Sequence, residues 1–311
     1  MVLHRRIVPN RIYHLFEEPD VFIVKGKKGI NALVPILQEG DWCFESLMWF
    51  LTWKSALTYL NRWKKMKSRG INYVLMANSE IELQRCKIFG IPARLMPQGQ
   101  FINECFLPVT SQERECQYDA FYAAQAKPFK RLHLAKDIQK LYVLTYSCPT
   151  NEKGENDLRL FESRLKNASW NLSYIYDTKK VVDLMCSSRC ALALSRIEGA
   201  MWASLEANMC GLPIVSTKSL GGRDRYFNSN NSRIVSPNSK AVADAVEFYK
   251  QHPPNPLKVR KSTLDMIKKD RQETAKYFSE EVLQSSKWSP ENVEKHLFYA
   301  DSGMERFLLK N

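Results

Sequence analysis

From Tyr118 onward, short apolar runs alternate with amphipathic stretches. Tyr118–Ala124 (YDAFYAA), Tyr142–Ser147 (YVLTYS), Leu172–Tyr176, Ala191–Ser195 (ALALS), Leu212–Thr217 (LPIVST) and Arg233–Val235 read as strands. Leu132–Leu141, Leu158–Leu165, Lys179–Ser187, Gly199–Met209 and Ala241–Tyr249 repeat their apolar positions at helical spacing. Short strands alternating with helices of about ten residues are βαβ units around a parallel sheet. The pattern assigns residues 113–255 to one doubly wound α/β domain. Upstream, Val21–Val24 and Tyr73–Ala77 (YVLMA) also read as strands. Between them Trp49, Trp53, Ala56, Leu60 and Trp63 recur at spacings of four, three, four and three, one face of a long helix. Ile81–Phe89 is a further helix closed by Gly90, which makes residues 1–112 a smaller α/β domain. Residues 256–311 have helical periodicity interrupted at Pro256 and Pro290, and are expected to cross back to the N-terminal domain.

A chain of 311 residues with 44% hydrophobic and 11% aromatic content supports two packed cores and excludes disordered or low-complexity readings. Forty-six Lys and Arg against 33 Asp and Glu leave a net charge of +13. That excess favours anionic partners: phosphorylated small molecules, an acidic membrane surface or nucleic acid. It does not choose among them. The N-terminal MVLHRRIVPN lacks an apolar segment behind its charges, and no run of about 18 apolar residues occurs. The eight cysteines form no C-x-x-C pair, and none of the five histidines stands beside one. The expectation is a cytoplasmic protein with reduced thiols, no metal and no cofactor.

The most informative chemistry lies from Ser195 to Asp224, SRIEGAMWASLEANMCGLPIVSTKSLGGRD. A strand ends at Ser195, a tight turn carries Glu198 and Gly199, and a helix is expected to start at once. Free amides at such a helix start, at the carboxyl edge of a parallel sheet, suit phosphate or sugar oxygens. Glu206 lies eight residues after Glu198, and a carboxylate facing vicinal hydroxyls accepts two hydrogen bonds. Gly221 and Gly222 follow the next strand and are expected to bring further amides to the same edge. Two bland readings stand beside these: Glu198 as an acid complementing a helix dipole, and Glu206 as a solvated helix-face residue.

Glu198-x7-Glu206, with Gly199 after the first acid, Ala207 after the second and Cys210-Gly211-Leu212-Pro213-Ile214-Val215 behind them, resembles the donor-site signature of retaining group 1 (family four) glycosyltransferases. The resemblance covers about residues 70–250 and implies a GT-B fold: two Rossmann-like domains facing a cleft, the N-terminal one abbreviated here. It implies that Glu206 binds the ribose of a nucleotide-sugar donor. Glu198 would contact the transferred sugar, with Gly199 and Ala200 holding sugar and diphosphate. The family's Arg-x4-Lys diphosphate clamp maps onto Gln125 and Lys130, so the arginine is missing. Arg131 or Lys127 is then a candidate substitute, with a plain basic surface loop as the alternative. Glu198 and Lys130 are the candidate catalytic residues, and Gly222 and Arg223 (with Asp224) are candidates to line the donor site. His133 reads as a helix-face residue.

The acceptor side is less specific. Gly26-Lys27-Lys28-Gly29 is the candidate glycine-rich acceptor loop. Arg62-Trp63-Lys64-Lys65-Met66-Lys67-Ser68-Arg69 carries five cations and no acid beside the tryptophan stripe. That combination fits either an anionic membrane surface or a core-facing stripe with a solvated basic face. The resemblance implies a nucleotide sugar donor, a glycan, lipid-linked or other glycoconjugate acceptor, retention of configuration, and no metal. Two other readings stay open: a DNA-base glucosyltransferase, and a non-catalytic binding protein on a degenerate transferase scaffold.

Overall fold

The computed structural model describes residues 11–102, 115–145, 159, 163, 165–171 and 174–299. The chain divides into two compact units. One comprises Met1–Asn103, Gly221–Arg223 and Ile267–Asn311, the other Glu104–Leu220 and Asp224–Met266.

In the first unit an antiparallel hairpin, β1 (Ile12–Glu17) and β2 (Asp20–Lys25), opens a five-stranded sheet. Helix α1 (Gly26–Leu33), β3 (Trp42–Ser46), α2 (Trp53–Lys67), β4 (Asn72–Ala77), α3 (Glu80–Ile88) and β5 (Ala93–Leu95) follow. The strand order is β1-β2-β3-β4-β5, and β2 to β5 are parallel. Each new parallel strand joins on the same side, so right-handed crossovers place all three helices on one face. Phe22, Val24, Cys43, Tyr73 and Leu75 of the strands meet Ile30, Leu33, Ala56, Met66 and Cys86 of the helices there. The opposite face is closed by the C-terminal residues: Phe44 stacks on Phe278, and Phe16 meets Trp288 edge-on. Local signals start the helices. Thr52 and Ser55 form a capping box on α2, and the Ser79 hydroxyl accepts the Glu82 amide at α3.

The second unit holds β6 (Tyr118–Ala123), β7 (Leu141–Leu144), β8 (Ala168–Trp170), α4 (Thr178–Cys186), β9 (Ser188–Ala193), α5 (Trp202–Met209), β10 (Ile214–Thr217), β11 (Ser232–Val235) and α6 (Ser239–Gln251). Helix α7 (Pro256–Tyr277) runs from this unit into the first, where α8 (Pro290–Phe298) also lies. The sheet order is β8-β7-β6-β9-β10-β11, every pair parallel. Growth runs outward from β6 to β8, then restarts on the other side at β9. The boundary of β6 and β9 is therefore the topological switch point, where open α/β sheets bind ligands beyond the carboxyl ends of their strands.

Several expectations are corrected. Trp42–Ser46 is a strand where the sequence suggested none, because its alternating pattern merges into the tryptophan stripe behind it. The helix accordingly starts at Trp53, leaving Trp49 in the preceding loop. Gly26–Gly29 is the first turn of α1 rather than a loop. Leu132–Leu141 contains only a short 3-10 turn at Leu132–Ala135, since β7 already begins at Leu141. A strand lies at Ala168–Trp170, ahead of the one expected at Leu172–Tyr176, of which Leu172 and Ser173 fall outside the described residues and Tyr174–Tyr176 is irregular. Pro256 opens α7 instead of interrupting it, as suits a first helical position. The helix expected around Leu158–Leu165 falls mostly outside the described residues.

Candidate functional site

Three turns leave the carboxyl ends of β6, β9 and β10, and main-chain hydrogen bonds join them. The Arg196 amide donates to the Phe129 carbonyl at 3.1 Å, the Leu220 amide to the Arg196 carbonyl at 3.0 Å, and the Glu198 amide to the Leu220 carbonyl at 3.0 Å. The Tyr122 hydroxyl, on β6, donates to the Lys130 carbonyl and fixes the first turn from below.

On this platform Lys130 and Glu198, 68 positions apart, meet. The Lys130 ammonium donates to Glu198 Oε1 at 2.6 Å, and the Ser195 hydroxyl donates to Oε2. Lys130 and Glu198 are only 8% and 9% exposed. Such burial needs pairing, because an isolated charge here would lose its hydration uncompensated. The arrangement is a cation and a carboxylate held at the switch point, each with donor or acceptor capacity left for a ligand.

The neighbours divide by role. Arg131 adopts a left-handed backbone (φ 49°) and turns its guanidinium inward, Nε to the Leu194 carbonyl at 2.6 Å and Nη2 to Thr217 Oγ1 at 2.7 Å. It braces the ends of β9 and β10. Gln125 is half-buried in the turn after β6, and its carbonyl accepts the Lys127 amide. His133 is exposed on the 3-10 turn. Gly199, buried, and Ala200 lie in the turn ahead of α5, which starts at Trp202 rather than directly at Gly199. Gly211 explains the glycine in the motif: its φ is +80°, and a Cβ there would meet Pro256 at 2.5 Å.

Glu206 stands on α5, one turn in, and is not hydrogen-bonded to Lys130 or Glu198 among the described residues. Burial of its carboxyl among protein atoms pushes its pKa up to about 7. Gly222 and Arg223 group with the first unit. Gly222 lies against Asn78, whose carbonyl oxygen would stand 2.5 Å from an added Cβ, and Arg223 is buried. Asp224 accepts the Ser219 amide at 3.0 Å, shaping the turn after β10. Among the described residues no group of three or more His, Cys, Asp or Glu is placed to hold a metal ion. Ser195 and Arg196 escaped the sequence reading. The three-residue step from Ser195 to Glu198, within hydroxyl reach across a tight turn, is the signal for the first. Arg196, exposed beside Phe129 and Lys130, is visible only in space.

The architecture is that of the GT-B glycosyltransferases. Anabaena HepE, crystallised with UDP-glucose, superposes with a TM-score of 0.60 at 12% identity, covering 83% of this chain and 78% of that one. Staphylococcus aureus TarM gives 0.55 at 11% identity over 88% of this chain, which spans 54% of TarM. Sucrose-phosphate synthase of Thermosynechococcus elongatus gives 0.52 at 13% identity, over 78% and 72%. Residues 159–271 match the model of the family described as Glycosyl transferases group 1, so the resemblance to that family holds in sequence as well as in fold. The matched segment contains Glu198 and Glu206; Lys130 lies upstream of it. A comparison with curated proteins finds none similar in sequence.

Proposed function

We propose that this protein is a metal-independent glycosyltransferase that moves a sugar, with retention, from a nucleotide-diphosphate donor to a glycan or lipid-linked acceptor. The observation that carries the reading is the buried Lys130–Glu198 pair at the switch point of the second sheet. When the bond between sugar C1 and the diphosphate oxygen breaks, negative charge develops on the leaving diphosphate. A preorganised ammonium such as Lys130 stabilises that charge more than the ground state. Glu198, fixed by Ser195, accepts hydrogen bonds from the sugar's hydroxyls, and Glu206 takes the nucleotide's ribose. The acceptor oxygen bonds to C1 on the face the diphosphate leaves, and its proton passes to a diphosphate oxygen, so no protein nucleophile is required.

Arg131 is committed to Leu194 and Thr217, and Gln125 carries no charge. Arg196 therefore joins Lys127 as a candidate for the second diphosphate cation, held by its own backbone beside the Lys130 turn. Arg196→Ala is expected to raise KM for the donor about tenfold or more, the loss of one charge-assisted contact. An unchanged KM removes Arg196 from the site. The whole reading is tested by thermal unfolding against a panel of UDP and GDP sugars, with NMR of the product anomer and EDTA in parallel. Donor at a hundred times Kd stabilises by roughly 2.7 kcal/mol. No shift with any donor sinks the proposal, and EDTA sensitivity or an inverted anomer sinks its metal-free or retaining part.

The acceptor is met at a membrane surface. Met48, Trp49, Trp53 and Leu57 are all exposed, the two tryptophans at 62% and 53%, in and behind the loop at the carboxyl end of β3. Lys54, Lys64 and Lys65 are exposed on the same helix. Exposed tryptophan with lysine suits an anionic headgroup layer. Ala56 is buried and Leu60 and Trp63 are half-buried against the core, so the stripe is divided between the two fates weighed from the sequence. No helix among the described residues is long and apolar enough to cross a membrane. Trp49→Ser with Trp53→Ser is expected to cut flotation with phosphatidylglycerol vesicles several-fold. Equal flotation of variant and parent excludes this surface.

A further inference from the structure

A cavity of about 500 Å³ opens in the first unit. It sits at the amino ends of β3, β4 and β5, where Trp42, Asn72 and Arg94 stand at or next to the first residues of their strands. Parallel strands run the other way from their carboxyl ends, so this is the sheet edge opposite Leu47 and Asn78. Its walls are aromatic: Trp42 on β3, Trp63 on the last turns of α2 and Tyr277 at the end of α7, each half-buried with part of its surface open. Trp42 is backed by Phe44, centroids 5.8 Å apart and planes within 9°, which holds the indole rigid.

Two cations line the same cavity, each positioned by a ring. The Lys67 ammonium lies over Trp63 at 5.3 Å from the ring centre, and the Arg94 guanidinium over Tyr277 at 4.4 Å. Arg94 also pairs with the exposed Glu281 outside the wall, at 2.5 Å. No acid belongs to the wall itself. Cation–π contact fixes the direction of a charge without neutralising it, so the positive potential of Lys67 reaches the cavity, while Arg94, shared with Glu281, offers its remaining N–H donors. The volume is that of a small-ligand site.

We infer that this cavity is a binding site for an anionic saccharide, separate from the Lys130–Glu198 site. The C–H face of a pyranose carries slight positive charge and complements the negative face of an aromatic ring. Asn72, whose amide nitrogen donates to the Gly40 carbonyl at 3.1 Å, offers its amide oxygen to hydroxyls, and Lys67 and Arg94 match carboxylate, sulfate or phosphate substituents. Choosing a saccharide over single-stranded nucleic acid, which also combines ring stacking with cations, rests on the proposed transferase reading: a chain that extends a charged glycan gains from a second hold on it.

The test uses the full-length protein and tryptophan fluorescence, with a hyaluronan hexasaccharide, maltohexaose and a dodecathymidylate as probes. The expected result is saturable binding of the hyaluronan hexasaccharide, weaker binding of the neutral maltohexaose, and at least a tenfold loss in Lys67→Ala/Arg94→Ala. Both substituted side chains are surface cations, so folding is retained, and Trp42→Phe provides an independent variant that also weakens binding. Failure of the anionic saccharide to bind, equal binding by the double variant, or tighter binding of the oligonucleotide overturns the inference. The donor thermal shift is measured on the same samples. Loss of saccharide binding with the donor shift intact sinks only this site, whereas saccharide binding without any donor shift sinks the transferase reading and leaves the site standing.

Discussion

Lys130→Ala is expected to lower turnover about 10²–10³-fold with the donor's KM nearly unchanged, the size of effect seen when one preorganised donor to developing negative charge is removed. Lys130 is buried on a turn whose carbonyl is tied to Tyr122, and its ammonium is fixed on Glu198 at 2.6 Å. A cation so held needs little reorganisation when charge appears on a leaving diphosphate. Lys130→Arg keeps the charge but spreads it over a planar fork, and restores only part of the rate. Removing the lysine also leaves Glu198 buried with Ser195 alone, so thermal unfolding of the variant is measured beside the kinetics. A variant that remains folded and turns over like the parent excludes Lys130 from the chemistry. Glu198→Gln serves as the partner experiment, because it keeps the Ser195 contact while losing the charge that orients the lysine.

Glu206→Ala is expected to weaken nucleotide binding about tenfold to a hundredfold, the worth of one or two charged hydrogen bonds in a dry site. The pH dependence makes the assignment specific. Burial raises the Glu206 carboxyl from 4.5 to about 7. The folded state thus holds this proton more tightly than the unfolded chain does. The stability contributed by Glu206 is complete below about pH 4.5 and is lost as pH rises through about 7. Nucleotide binding runs the other way: the carboxylate is the better acceptor for ribose hydroxyls, so UDP affinity rises between pH 6 and 8. Glu206→Gln flattens that rise and increases the melting temperature more at pH 8 than at pH 5. Calorimetry with UDP across this range checks both signs, and a parental pH profile in the Gln variant contradicts the assignment.

The second sheet was readable from the chain because its central strands are buried on both faces and appear as largely apolar runs, such as YDAFYA with its one acid next to the strand start, and ALA. The first sheet was less so. Trp42–Ser46 includes Glu45, a buried acid held by Arg62 and Tyr73, and a charge inside so short a strand hides it from hydropathy. The turn after β6 also misled. Leu132–Leu141 is apolar at helical spacing, yet the chain spends part of it on a tight 3-10 turn, because the half-buried Arg131 in left-handed conformation redirects the backbone. In the site, Glu198, Glu206 and Lys130 were marked by the resemblance that the whole motif and the turn after β6 carry, since the spacing of two acids alone marks nothing. The 2.6 Å contact between Lys130 and Glu198 belongs to tertiary structure and has no local trace. Arg131 shows the limit most clearly: by the resemblance and its place in the turn it was a substitute phosphate cation, while in space its guanidinium is engaged by Leu194 and Thr217.

Beside the side-chain links of Lys130 and Arg131, the turns at Phe129, Arg196 and Leu220 are stitched by amides and carbonyls. Such stitching is blind to side-chain identity but intolerant of altered loop length: inserting one residue shifts every donor off its acceptor. The positions above it are therefore free to exchange chemistry. A charge lost from one turn, as at Gln125, is replaceable from a neighbouring turn without rebuilding the scaffold that aims it.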